Sequence, residues 1–131
     1  MSCAHNIADL VSRLKNYRSD AFSLCKVPNF KIVSQSLDLL VKNGFISWYE
    51  LNTETKMLDV CINLDKDGVN PMKYLHSISK PSRKIRAKVS DIEILVKKSP
   101  FRLIVLSTSK GLMSAVDAIK ANVGGEVLFI V

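Results

Sequence analysis

The chain lacks any uncharged apolar run near the ~20 residues that a bilayer-spanning helix needs, so a soluble protein with no membrane association is expected. Cysteine is sparse and unpaired in number. Cys3, Cys25 and Cys61 show neither CxxC spacing nor a histidine placed for zinc, so they read as reduced, buried thiols in a reducing compartment. Histidine is limited to His5 and His76, and the GxSxG turn of a serine hydrolase is missing. A nucleotide P-loop is missing too, because no upstream glycine pairs with a Gly-Lys-Ser/Thr ending. Neither a cofactor nor a small-molecule substrate is expected, and the chain reads as non-enzymatic, the alternative being a small serine-dependent hydrolase with Ser107 or Ser109 as nucleophile. Internal repeats and low-complexity tracts are also absent.

What is present is a globular composition, 47% apolar and 24% charged over 131 residues, enough for one ordinary domain or two small ones. The net charge of +7 is unevenly placed. Seven Lys/Arg balance seven Asp/Glu up to Asp65, so the whole excess lies in the second half. Segregated positive charge points to a polyanion met mainly by the C-terminal half.

Apolar spacing at Ile7, Leu10, Val11 and Leu14 predicts an amphipathic opening helix, which is part of the fold and not a targeting peptide. Residues 21–27 read as a strand, Pro28-Asn29 as a break, and Ile32, Val33, Leu37, Leu40 and Val41 as a second helix closed by Asn43-Gly44. Two strands, "FISWYEL" and "KMLDVCINL", flank the turn "NTET". The expected class is α+β with two small α/β domains, an N-terminal α-β-α-β-β unit over 1–66 and a mostly β C-terminal unit with one helix over 67–131. The boundary rests on the linker "DKDGVNP", residues 65–71. Beyond it, strands are expected around 73–79 and 83–89, then a short element over "DIEILVKK", the strand "RLIVL", a helix over "LMSAVDAIKA" and the final strand "EVLFIV".

Three stretches carry candidate chemistry. "STSKG", Ser107 to Gly111, falls where the expected strand meets the expected helix, so backbone N–H groups and a helix dipole would favour phosphate there. Its hydroxyls and Lys110 also suit a sugar 2'-OH or a base edge. Helix capping, the simpler account, needs only one hydroxyl. "SKPSRKIRAKV", residues 79–89, holds Lys80, Arg83, Lys84, Arg86 and Lys88 with no acid, and as a strand would turn Lys84, Arg86 and Lys88 to one face. In "VGGE" a turn accounts for Gly124 and Gly125. Glu126 could accept from base amino groups or orient Lys110.

In this order, "IADLVSRLKN", "GFISWYE", "SISKPSRK", "LSTSKGLM" and "VGGEVL" resemble the small-subunit ribosomal protein S-eight family in its bacterial and organellar form. The resemblance implies a two-domain structural constituent of the small ribosomal subunit that binds the central domain of its rRNA, helps that domain assemble and touches neighbouring small-subunit proteins. It implies RNA contact at Ser107, Thr108, Ser109 and Lys110, with Gly124, Gly125 and Glu126 shaping the adjoining surface. Lys80, Arg83, Lys84, Arg86, Asn16 and Lys31 are further candidates. It also implies a possible regulatory role through an mRNA stem, and a free-standing translational regulator would make the same contacts.

The chain departs from the family pattern in several places. Ser82 and Arg86 stand where the family has glycine and tyrosine, Pro100, Phe101 and Arg102 replace "GLG", "SAVDAIK" replaces a polar helix start, and the terminal tryptophan is missing. This drift, with the high apolar content, points to a mitochondrial ribosome, with a plastid or a bacterial cytoplasm as alternatives.

Overall fold

The computed structural model describes residues 3–17, 24–80 and 82–131, without the side chains of residues 3 and 4. The opening helix α1, Cys3–Lys15, buries the four residues that its 3.6-residue period selects, Ile7, Leu10, Val11 and Leu14. Strand β1, Cys25–Pro28, leads into helix α2, Lys31–Lys42, which buries Val33, Leu37 and Leu40. Residues 21–23 of the expected first strand lie outside the described residues. As expected, Asn43 and Gly44 end α2: the Asn43 N–H donates to Leu39 O at 3.1 Å, and Gly44 takes a φ of +83°. Strands β2, Ile46–Leu51, and β3, Met57–Ile62, complete an antiparallel sheet of order β1-β3-β2. Leu58, Val60 and Ile62 alternate onto the face that α1 and α2 cover. Tyr49 donates its hydroxyl to Asp38 and to Ser34 O, tying β2 to α2.

The linker is anchored at both ends. Asp65 Oδ1 accepts from the N–H groups of Asp67 and Val69, and Asn70 donates Nδ2 to Leu14 O and Tyr17 O at the end of α1. Asn70 Oδ1 also caps a 3-10 turn, Pro71–Tyr74, whose Met72 joins Leu75 in the core beneath α1.

The second sheet is built from β4, His76–Ser77, β5, Arg86–Ala87, β6, Ile104–Thr108, β7, Gly111–Ser114, and β8, Gly125–Ile130. Its order is β4-β8-β6-β7, with β5 pairing the other end of the same β8 edge. Val105, Leu128 and Phe129 face the core shared with α1 and α2, whereas Ile104, Leu106 and Val127 face helices α3, Val89–Lys98, and α4, Ala115–Lys120. The second sheet is therefore sandwiched between two helical layers.

The molecule is α+β, as its sequence predicts, but its second half differs in detail. It has two α-helices, not one. "DIEILVKK" continues α3, with Ile92 buried and Leu95 and Val96 packed at i+3 and i+4. The strands expected near 73–79 and 83–89 shrink to two residues each. The expected helix from Leu112 begins only at Ala115: Leu112 and Met113 alternate across β7 into opposite cores, and Ser114 Oγ accepts from Asp117 N at 3.3 Å to start α4. Ala115 and Ala118, not the exposed Val116, form its buried face.

Candidate nucleic-acid interface

The shift in the helix start changes the nature of STSKG. It is a β-hairpin turn and not a strand-to-helix junction: Ser107 pairs with Leu112 and Thr108 with Gly111, leaving Ser109 and Lys110 exposed at the tip. The N-terminus of α4, at Ser114, therefore does not lie at the STSKG turn. Thr108 Oγ1 accepts from Lys110 N at 3.2 Å and donates to Gly111 O at 2.8 Å, so this hydroxyl holds the turn. Gly111 has a φ of +108°, a conformation that a residue with a Cβ strongly resists. Ser107 and Ser109 keep their hydroxyls free of hydrogen bonds among the described residues.

Strand register then builds a row across the sheet. Arg86 on β5 pairs with Glu126 on β8, Glu126 with Ser107 on β6, and Ser107 with Leu112 on β7. Directly opposed residues place their Cβ atoms about 5 Å apart on one face. Glu126 Oε1 is buried and accepts no hydrogen bond among the described residues, although a basic residue and a hydroxyl stand on either side. The row thus sets a carboxylate between a cation and a hydroxyl, with one of its oxygens, Oε1, turned away from solvent.

Gly124 and Gly125 serve close packing, which corrects the turn explanation. A Cβ on Gly125 would lie 2.2 Å from Ser107 O, and one on Gly124 2.5 Å from Ala87 O. The left-handed turn residue after α4 is instead Asn122, with a φ of +54°.

The basic stretch flanks the other side of β8. Lys80 and Arg83 exchange backbone hydrogen bonds of 2.9 Å in both directions, forming a tight loop that projects Lys80, Arg83 and Lys84 into solvent; residue 81 lies outside the described residues. Buried Ser79 anchors this loop, donating Oγ to Val127 O at 2.6 Å and accepting from Ile85 N at 2.9 Å. The alternation expected here holds in exposure, with Lys84, Arg86 and Lys88 outside and Ile85 and Ala87 half-buried. Lys88 no longer belongs to a strand: its N–H donates to Asp91 Oδ2 at 3.1 Å at the start of α3.

Beside the hairpin, a groove of about 500 Å³ joins Ser107, Thr108 and Ser109 to Lys31 and Gln35 of α2, Asn6 of α1, and Phe30. Lys31 is thereby brought to the serines. Asn16 is not: it follows the other end of α1, about 15 Å along the helix axis from Asn6 at 1.5 Å per residue. Sequence reasoning missed Asn6, Phe30, Gln35 and Ser79. Polar residues on helices read as solvated faces, and only the fold shows that Ser79 is buried. Neither histidine lines the groove.

Cys25 and Cys61 take no part in this surface. Cys25 is buried with its Sγ 3.6 Å from Arg13 O, and burial pushes its pKa from 9.0 up to about 11, against the opposing pull of the Arg13 charge. Cys61 is half-buried and also unpaired, and the described residues hold no cluster of three metal-ligating groups.

Ser107 and Glu126 of this row are residues that the motif resemblance implies at an RNA surface, and Arg86 beside them is a departure from the family pattern. Comparison with known proteins agrees at the family level. The Ribosomal protein S8 family profile matches residues 5–131. The small ribosomal subunit protein uS8 of Campylobacter hominis is 32% identical over 124 residues, covering 93% of each chain. Its counterpart from Rhodopseudomonas palustris strain BisA53 is 34% identical over 133 residues, covering 100% of this chain and 99% of that protein. That of Leptospira biflexa is 32% identical over 134 residues, with coverage of 98% and 97%. With a profile spanning nearly its whole length and relatives that align end to end, the chain belongs to the Ribosomal protein S8 family.

Proposed function

We propose that the protein is a structural, non-catalytic constituent of the small ribosomal subunit that binds a stem in the central domain of the small-subunit rRNA, supports assembly of that domain and so serves translation. The observation that carries this reading is the register row Arg86–Glu126–Ser107, which sets a cation, a carboxylate and a hydroxyl side by side on one face of the sheet. An RNA minor groove offers the complementary groups, 2'-hydroxyls and the guanine amino group. Ser109 and Lys110 at the hairpin tip extend the contact, while Lys80, Arg83, Lys84 and Lys31 supply phosphate contacts that position the RNA. Thr108, Gly124 and Gly125 act by holding the surface in shape, and Asn16 lies apart from it.

In this reading residues 67–131 form the RNA-binding unit and 1–66 brace it, contributing Lys31 and Asn6 at the edge of the groove. Neighbouring small-subunit proteins are its other partners. The organisms of the relatives named above support a bacterial small subunit; the mitochondrial reading rests on sequence drift alone. A free-standing regulator would carry the same surface, and co-sedimentation with small subunits separates the two.

The decisive measurement is affinity for a central-domain rRNA stem against an unrelated stem of equal length at physiological salt. The expected result is a preference of at least tenfold for the first, which Glu126→Ala largely abolishes. Equal binding of both stems by the native protein would refute the reading.

A further inference from the structure

A second surface lies at the opposite end of β6 from the hairpin, about 15 Å away at 3.3 Å per residue. Its centre is Phe101, 98% exposed in the loop joining α3 to β6, with Tyr74 at 63% and Val116 at 50% to either side. Single exposed apolar residues are ordinary, but here three gather around two hollows. One, of about 410 Å³, opens between the end of α2, this loop and the start of α4, and is lined by Leu39, Phe45, Leu103 and Val116. The other, of about 430 Å³, is lined by Pro71, Tyr74 and His76. Phe101 stands between them and lines both.

The loop that carries Phe101 is held in place. Arg102 N donates to Ser99 O at 3.2 Å, its Nη2 donates to Tyr74 O at 3.1 Å, and Leu103 N donates to Val131 O at 2.8 Å. The backbone that carries the exposed ring is therefore preorganised, which lowers the ordering cost of binding. Around it stand Lys42, Arg102 and Lys73, the last with its ammonium 4.9 Å from the Tyr74 ring centroid, and Asp117 is the one acidic side chain among the described residues that line the two hollows.

We propose that this surface docks a segment of another protein, one that carries bulky apolar side chains for the two hollows and carboxylates for Lys42, Lys73 and Arg102. Aromatic and arginine anchors beside apolar hollows are the composition of protein hot spots. The hollows lack the run of hydroxyl groups that the hairpin offers to nucleic acid, which favours protein over RNA as the occupant.

The proposal rests on the small-subunit reading and is tested within the particle. Small subunits are reconstituted with the full chain carrying the photoreactive p-benzoylphenylalanine at Phe101, an exposed site where the bulk disturbs no packing. The expected product is an adduct with another protein of the particle, mapping within about five residues of an Asp or Glu. Adding Arg102→Glu should reduce its yield at least about fivefold, by charge repulsion. An adduct on rRNA or on a second copy of the chain, a partner segment without acids, or no adduct from a chain that has entered the particle overturns this proposal alone. A chain that fails to enter the particle overturns both this proposal and the reading it rests on.

Discussion

Replacing Gly125 with alanine tests the close strand approach beneath the proposed RNA surface. The added Cβ would lie 2.2 Å from Ser107 O, 3.0 Å from Ser107 C and 3.1 Å from Thr108 Cγ2. A relaxed carbon-to-oxygen contact is about 3.3 Å, so β6 and β8 must part locally by about 1 Å. Two adjoining ladder hydrogen bonds would then stretch beyond useful length, each costing about 1 kcal/mol, and residual overpacking adds about 1 to 2 kcal/mol more. The total is about 3 kcal/mol, a large share of a domain's usual ~5–15 kcal/mol. For a chain of this size that corresponds to a fall in Tm of about 10 °C.

Thermal unfolding followed by circular dichroism reads this directly, and stem binding measured well below the lowered Tm reads the displacement of Ser107 away from Glu126. Gly68→Ala is the control: its Cβ meets nothing within 4 Å, but its φ of +75° strains any residue with a side chain. It should cost about 1 kcal/mol through the backbone alone and leave binding unchanged. A Gly125→Ala protein with a Tm within about 2 °C of the native value would refute the claim that close approach demands glycine there.

Ser79→Ala removes the donor to Val127 O and the acceptor for Ile85 N, so it should cost about 2 kcal/mol in urea unfolding and loosen the Lys80–Lys84 loop. Binding should weaken for cognate and unrelated stems alike. Ser109→Ala should lower discrimination between stems, whereas Lys84→Ala should weaken all RNA binding and flatten its salt dependence; equal losses from both on both stems would refute that division. Alkaline stability follows from Cys25 and Tyr49. The native state favours the protonated thiol, so the Cys25 contribution is complete below its ordinary pKa of 9.0 and is lost as pH rises through about 11. Tyr49, raised from 10.0 to about 12 by burial and by its hydrogen bond to Asp38, acts in the same direction at higher pH. Urea midpoints should therefore fall across this window, and Cys25→Ala should flatten the lower part of the decline.

The first half of the fold was legible because its signals are local. Ile7, Leu10, Val11 and Leu14 declare one helix face, Asn43-Gly44 declares a helix end, and alternation declares β2 and β3. The hairpin at STSKG was hidden because Leu112, Val116 and Ile119 imitate a helical period while the truly buried residues of α4, Ala115 and Ala118, are small and weakly apolar. No Asn-Gly or Asp-Gly marked the turn. The candidate residues were found by composition and motif, but their arrangement was not. That Glu126 lies between Arg86 and Ser107 is a fact of register among three strands, and the chain separates them by up to 40 residues.

This rearrangement changes the physical basis of the proposed RNA recognition. A helix N-terminus attracts any phosphate through backbone N–H groups and a dipole, and so carries little information about sequence. A hairpin offers side chains fixed by the ladder: Ser107 on the same row as a carboxylate, Ser109 and Lys110 at the tip. A carboxylate in the charged half of the molecule opposes indiscriminate contact with phosphate, because each RNA backbone that approaches without a donor meets repulsion at Glu126. In the proposed reading, an RNA that presents an amino group or a 2'-hydroxyl to this carboxylate replaces the repulsion with a hydrogen bond. In that reading the lysines and arginines around the row set the strength of binding, and the acid between them sets which RNA is bound.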